Sequence, residues 1–309
     1  MCGSASFRVL QDKVLYSRIG DSHGQIVEEH HLRATAPDDY DVLGVPVEFA
    51  PPDNDYALPF DRWKLHLDET INRDSLPPWY SARRARRQCL DAMSDWWSYH
   101  AVDAGKHICD MGRTLIVLRG SPQIIVRGGD PAGIRGALLV CGKASPKITQ
   151  SGGDVFVYGR ASPSILQSGG DVFIRGKGRP NIGQCGGYVF TLDQSRPKIV
   201  KSDGEVHAYG KSRPSITQSG GWAYACGESQ PKIVQSGGLV NTLNDSHPSI
   251  VQIGGTVNTL NDSRPHITQS GGCVYTYDNS RPSITQSGGE VHAYGKNQPR
   301  IIRWKCQER

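Results

Sequence analysis

Several common signatures are missing from this 309-residue chain, and each absence removes a class of function. No apolar run approaches the ~20 residues of a membrane-spanning helix, so no membrane partner is expected. The opening MCGSASFRVL carries no signal-peptide core, which points to a cytoplasmic protein. The eight cysteines (Cys2, Cys89, Cys109, Cys141, Cys185, Cys226, Cys273 and Cys306) form no CxxC pair and keep no regular spacing. They read as reduced thiols rather than as a disulfide or zinc framework. A Walker loop, a GxSxG elbow, a GxGxxG after a strand and an HExxH helix are all lacking. Neither a cofactor nor a metal is expected.

What the chain does contain is a repeat. A unit such as SRPSITQSGGEVHAYGK returns every 17 residues, with its proline at Pro146, Pro163, Pro180, Pro197, Pro214, Pro231, Pro248, Pro265, Pro282 and Pro299. An isoleucine follows each proline by two residues, from Ile148 to Ile301, and a glycine follows the first nine by seven, from Gly153 to Gly289. A period this strict marks rungs that bury apolar residues only against their neighbours. The fold class expected is mainly β: a β-solenoid of 17-residue rungs with two short strands each, preceded by a small α+β capping domain.

Within a rung, P-x-I-x-Q forms one strand with Ile inward, and Ser-Gly-Gly makes a tight turn. A second strand such as EVHAY turns Val206 and Ala208 inward and His207 outward. About eleven rungs at ~4.8 Å each would span ~50 Å. The solenoid is expected to start near residue 106, because Ile108 and Gly112 stand four apart as Ile148 and Gly152 do, and Leu115 and Val117 match Val155 and Val157. The domains are thus 1–104 and 105–309, the latter with a looped rung at 122–145, regular rungs at 146–298 and a half rung at 299–309. A calcium roll is excluded by the lack of GGxGxD, and a hexapeptide helix by two unlike strands.

Before residue 104, FRVLQDKVLYSRI suggests a hairpin, HGQIVEEHHL a short helix capped by Asp21 or Ser22, and VPVEF (45–49) and WKLHLD (63–68) strands. An amphipathic helix of about five turns follows Pro77-Pro78 and should cover the first rung, because a bare terminal rung exposes strand edges. The last half rung, PRIIRWKCQER, is short, so a homodimer through the C-terminal solenoid end is expected wherever Trp304 leaves that edge open.

VHAYG (206–210 and 291–295), with PPWY (77–80) after WKLHLDE (63–69), resembles a group of bacterial and bacteriophage proteins that join a short N-terminal domain to repeats ending in AYG or AYD. That group has no assigned activity. The resemblance implies a phage or prophage protein that binds or sequesters a host component, in the host cytoplasm.

Candidate site residues lie where rungs differ. The outward column of the second strand reads Phe156, Phe173, Phe190, His207, Tyr224, Asn241, Asn258, Tyr275 and His292. Stacked aromatics here could receive sugar rings or nucleobases, or simply brace the sheet across rungs. His207 and His292, five rungs and ~24 Å apart, cannot share a metal. Before the prolines stand Arg179, Arg196, Arg213, Arg264 and Arg281; Lys143, Arg160, Lys177, Lys211 and Lys296 lie two residues earlier in the unit. This basic edge suits phosphates or an acidic protein surface. From Lys143 onward there are 19 Lys/Arg against 11 Asp/Glu, leaving 16 against 19 before it, so the solenoid is the basic part.

Three further groups read as structural. Asn244, Asp245, Asn261, Asp262, Asp278 and Asn279, with Glu228, read as turn formers rather than cation ligands. The cluster His23, Glu28, Glu29, His30 and His31 reads as a solvated helix face, and mutual pairing accounts for Lys201 and Asp203, which break the Gln and Gly columns. The insertion 130–136, with Asp130 and Arg135, is the one irregular loop where a carbohydrate-active β-helix would place its acids. An ice-binding role is disfavoured by the mixed outward column. The leading expectation is therefore a non-enzymatic binding or scaffold protein with a protein partner; the alternatives are a nucleic-acid-binding module and a carbohydrate-binding or carbohydrate-active β-helix.

Overall fold

The computed structural model describes residues 4–110, 112–128, 135–294 and 299–304. The N-terminal part is a four-stranded antiparallel sheet built from β1 (Ala5–Val9), β2 (Val14–Leu15), β3 (Val45–Ala50) and β4 (Lys64–Leu67), in the order β2-β1-β3-β4. The expected hairpin is the β1–β2 pair. Helix α1 (His23–Glu29) starts at Ser22, whose side chain accepts the N–H of Gln25. The short α2 (Tyr40–Leu43) has no counterpart in the sequence reading. The long helix α3 (Ala82–His100) buries Ala85, Cys89, Met93, Trp96 and His100, a spacing of three or four that places them on one stripe.

From Lys106 the chain alternates between two parallel sheets, one of twelve strands and one of eleven. The twelve-stranded "proline sheet" begins with β5 (Lys106–Cys109) and holds every P-x-I-x-Q strand; the eleven-stranded "aromatic sheet" begins with β6 (Thr114–Val117) and holds the second strands. Pairing is in register at 17 residues, for example Ile233 to Ile250 to Ile267 on one sheet and Val240 to Val257 to Val274 on the other. Two-residue alternation buries every second side chain: Lys232–Gln235 runs exposed, buried, exposed, buried.

The first rung departs from expectation by one residue. His107, not Ile108, aligns with Ile124 and hence with Ile148, while Ile108 joins the outward column of Ile125 and Thr149. The cause is Cys109, which is fully buried and aligned with Val126 and Gln150; with that residue inward, alternation forces Ile108 out, where it is 39% exposed.

The interior is more polar than the apolar columns suggested. Gln150, Gln167, Gln184, Gln218, Gln235, Gln252 and Gln269 are all buried. Each amide nitrogen bridges a turn carbonyl of its own rung and a strand carbonyl of the next; Gln235 Nε2 donates to Gly238 O at 2.8 Å and to Thr256 O at 3.0 Å. Hydroxyls repeat the device at the opposite corner, where Thr191, Thr242 and Thr259 bond Ser212, Ser263 and Ser280 in the following rung. Where that Thr is replaced by Ile174, Ala208 or Ala225, the corresponding Ser195, Ser229 and Ser246 hydroxyls are buried without a partner.

Lys201 stands in the Gln column and corrects the sequence reading. Its Nζ takes over the glutamine's bonds, to Gly204 O at 2.8 Å and Trp222 O at 2.9 Å, and it makes no ion pair with Asp203, whose carboxylate accepts the Gly204 N–H. Burial pushes this ammonium down to about 8 from 10.5, with Asp203 and Glu205 opposing the shift. The unfolded chain therefore holds the proton between about pH 8 and 10.5 while the folded chain has released it, so stability rises with pH across that window and the penalty of the buried charge is complete below it. Lys201→Gln should remove the penalty, raising stability at pH 7 by about 1–2 kcal/mol once screening near the corner is allowed for, and flatten the rise. Chemical denaturation of both proteins at pH 7 and pH 10 checks this; an equal rise in both would refute it.

The N-terminal part sits in two places at once. It closes the edge of the aromatic sheet, since Ile19 O accepts the Thr114 N–H at 3.0 Å and Val102, just beyond α3, donates to Ile116 O at 2.9 Å. It also lies on the outer face of that sheet. Ile116, Ala137, Leu139 and Cys141 belong to the same core as Phe7, Phe49, Trp63, Met93 and Trp96, and Leu118, Phe156 and Tyr158 pack against it. The expected cap is present, but it covers a face as well as an end.

Candidate binding surfaces

On the aromatic sheet each strand turns every second side chain outward, so that a middle residue is flanked by one two before and one two after. The middle column stacks rung upon rung: Phe156 to Phe173 at 5.1 Å, Phe173 to Phe190 at 4.9 Å, Phe190 to His207 at 5.2 Å and His207 to Tyr224 at 4.5 Å, with interplanar angles of 22° or less. Asn241 and Asn258 continue the column, the Asn258 Nδ2 donating a hydrogen bond to Asn241 Oδ1 at 3.0 Å, and Tyr275 stacks on His292 at 5.0 Å. Neighbours along one strand lie nearly coplanar, as Tyr188 and Phe190 do at 12° and 6.2 Å, except that Trp222 stands at 70° to Tyr224. The rings therefore form layers across the solenoid axis, with their faces turned to one another and their edges outward. That arrangement braces the sheet and offers a guest no free ring face within the stack.

The same face changes character along its length. Phe156 and Tyr158 lie half-buried beside the N-terminal core, with Tyr56 6.4 Å from Tyr158. From Phe173 onward no described residue of the N-terminal core packs on the columns. Tyr188 is 44% exposed, Trp222 49% and Tyr294 51%.

The predicted basic residues recur at one corner of successive rungs, where Arg179, Arg196 and Arg213 are exposed. Among the described residues Arg179, Arg196, Arg213, Arg264 and Arg281 enter no ion pair, and one acid reaches the edge, Glu228 at 3.6 Å from Lys211. Arg160, Lys177 and Arg179 line a common cleft of about 390 Å³. Lys296 lies outside the described residues.

The remaining candidates disperse. Asn244, Asn261 and Asp278 adopt positive φ of 53–55°, as turn formers do, and no cluster of three metal-ligating side chains exists among the described residues. In α1 the titratable group separates: His23 pairs with Asp68 at 2.9 Å, Glu29 accepts the Arg18 N–H and His30 faces Tyr16 O. Asp130 lies outside the described residues, whereas Arg135 spans Asp154 at 3.6 Å and Asp171 at 3.4 Å, a structural clamp on the aromatic sheet. The six described cysteines are free, and among the described residues no helix is long and apolar enough to cross a membrane. Trp304 is 69% exposed and does not fold over the last described rung, where Val291 and Ile301 are only partly buried.

No protein-family model, curated protein or solved structure matches the chain. Function has to be argued from the surfaces themselves.

Sequence reasoning missed two features here. The buried Gln column was visible as Ile-x-Gln, where alternation puts both residues on one side, but glutamine is ordinarily assigned to solvent. The covering of Phe156 had no sequence signal, because nothing in residues 4–104 specifies which outer face they dock on.

Proposed function

We propose that the chain is a non-enzymatic binding protein that docks a protein partner along the open rungs of its aromatic sheet. One observation carries this reading: a single in-register outward column runs from Ile116, Leu139 and Phe156, which the N-terminal part packs against, through Phe173, Phe190, His207 and Tyr224, which it leaves open. The first rungs of the sheet already serve as a protein-docking surface within the chain, and the following rungs continue the same outward column with Phe173, Phe190 and Tyr224. Edge-outward rings with flanking Tyr188, Trp222 and Tyr209 give a broad, rigid patch of the composition that interface centres favour. The likeness to phage-type repeat proteins adds that the partner would be a host component held out of action.

A photo-crosslinking residue in place of Trp222 should capture one discrete partner in host cells, while the same residue in place of Thr217 on the proline sheet should capture none. Equal capture at both positions, or none at Trp222, overturns the proposal. The basic edge supports a second reading, binding of nucleic-acid phosphates, because its arginines lack acidic partners. In that case Arg179→Glu, Arg196→Glu and Arg213→Glu together abolish salt-dependent retention of DNA or RNA and leave the Trp222 adduct intact.

A further inference from the structure

We infer that the open edge of β4 is a docking site for an extended acidic segment of another protein, which adds to the N-terminal sheet as a fifth strand. This site is separate from the aromatic face and does not depend on it.

The backbone sets the geometry. β4 is the outermost strand of its sheet and pairs with β3 alone. The Asp68 N–H donates to Pro46 O at 3.2 Å, so residues of even number face β3. By the alternation of an antiparallel ladder, the N–H and C=O of Leu65 and Leu67 point away from the sheet. Two outward residues present four backbone groups in the spacing that an added strand requires.

The charge selects the occupant. A cleft of about 640 Å³ runs between this edge and the first turns of α3. Arg62, Lys64 and His66 line one side, Arg83 and Arg86 the other, and Asp61 is the only acid among the lining residues. Among the described residues none of Arg62, Lys64, Arg83 and Arg86 enters an ion pair. Arg86 is held at the edge by its bonds to Asp61 O at 2.6 Å and Trp63 O at 3.4 Å and by its place over the Phe49 ring. The cleft also receives the amino end of the 19-residue α3, whose cap residue Ser81 makes no side-chain cap bond. A lone lysine on an edge strand serves to repel pairing. Four cations drawn from the turn, the strand and the helix instead define which strand is admitted.

The test uses the full chain and an array of random ten-residue peptides, followed by hydrogen exchange with the best-retained peptide made in solution. Retained sequences should be rich in Asp and Glu. That peptide should slow exchange of the Leu65 and Leu67 amides, and its affinity should fall at least tenfold in Lys64→Glu/Arg83→Glu. Arg62→Glu should give a smaller loss. All three positions are exposed, so melting temperatures should match the parent and separate charge loss from misfolding. Retention of neutral or basic peptides, no retention at all, or protection confined to the solenoid overturns the inference.

Discussion

Alanine at Gly238 is expected to cost about 3 kcal/mol or more. Gly238 ends the Ser-Gly-Gly turn with φ at +78°, a conformation that costs a side-chain-bearing residue about 1–2 kcal/mol by itself. A Cβ there would also stand 2.4 Å from Gly221 O and 2.8 Å from the carbonyl carbon of Gly220, both backbone atoms of the preceding rung. Neither can yield without disturbing the ladder, and Gln218 Nε2, at 2.9 Å, would be displaced from its bonds as well. Thermal unfolding checks the loss. A melting temperature within a degree of the parent would show that the turn can relax and that the rungs are less tightly stacked than described.

Ile250→Ala should cost about 3 kcal/mol, by transfer of the lost methylenes and by the cavity left behind. Ile250 is 1% exposed and packs in file between Ile233 and Ile267, so the gap opens against two rungs that cannot collapse toward each other without breaking register. Because rungs contact only their neighbours, the damage should be uneven. The amino-terminal side is tied to the Phe7, Trp63 and Trp96 core, whereas at the other end Val291 and Ile301 are only partly buried and no described residue packs beyond the last two strands. Amide exchange should quicken from Thr256 to Ala293 and stay near the parent rate from Thr114 to Ile174. Uniform acceleration would show that the solenoid unfolds as one unit.

The period made the solenoid legible. Proline and glycine at fixed phases give rung length and turn, and Ile148 to Ile301 give one inward column. Register at the first rung was not legible, because Lys106–Cys109 holds apolar residues of both parities and only the burial of Cys109 decides between them. The role of Lys201 was hidden for a different reason: a charge beside an aspartate suggests a pair, whereas the column demands a donor for two carbonyls. The N-terminal elements were readable from local pattern at Ser22, Val45–Ala50 and Ala82–His100. Their docking on the aromatic sheet depends on contacts far apart in sequence, such as Tyr56 with Tyr158, which no local pattern encodes.

In-register stacking makes length a quantised property of this chain. Adding or removing 17 residues between Pro146 and Pro299 leaves every inward column intact and changes the rod by one step of ~4.8 Å. A change that departs from that period by one residue instead exchanges inside for outside in every strand beyond it. The gene can therefore adjust reach in whole rungs by recombining its own repeats, and the outward text carried on each rung moves with it as a unit.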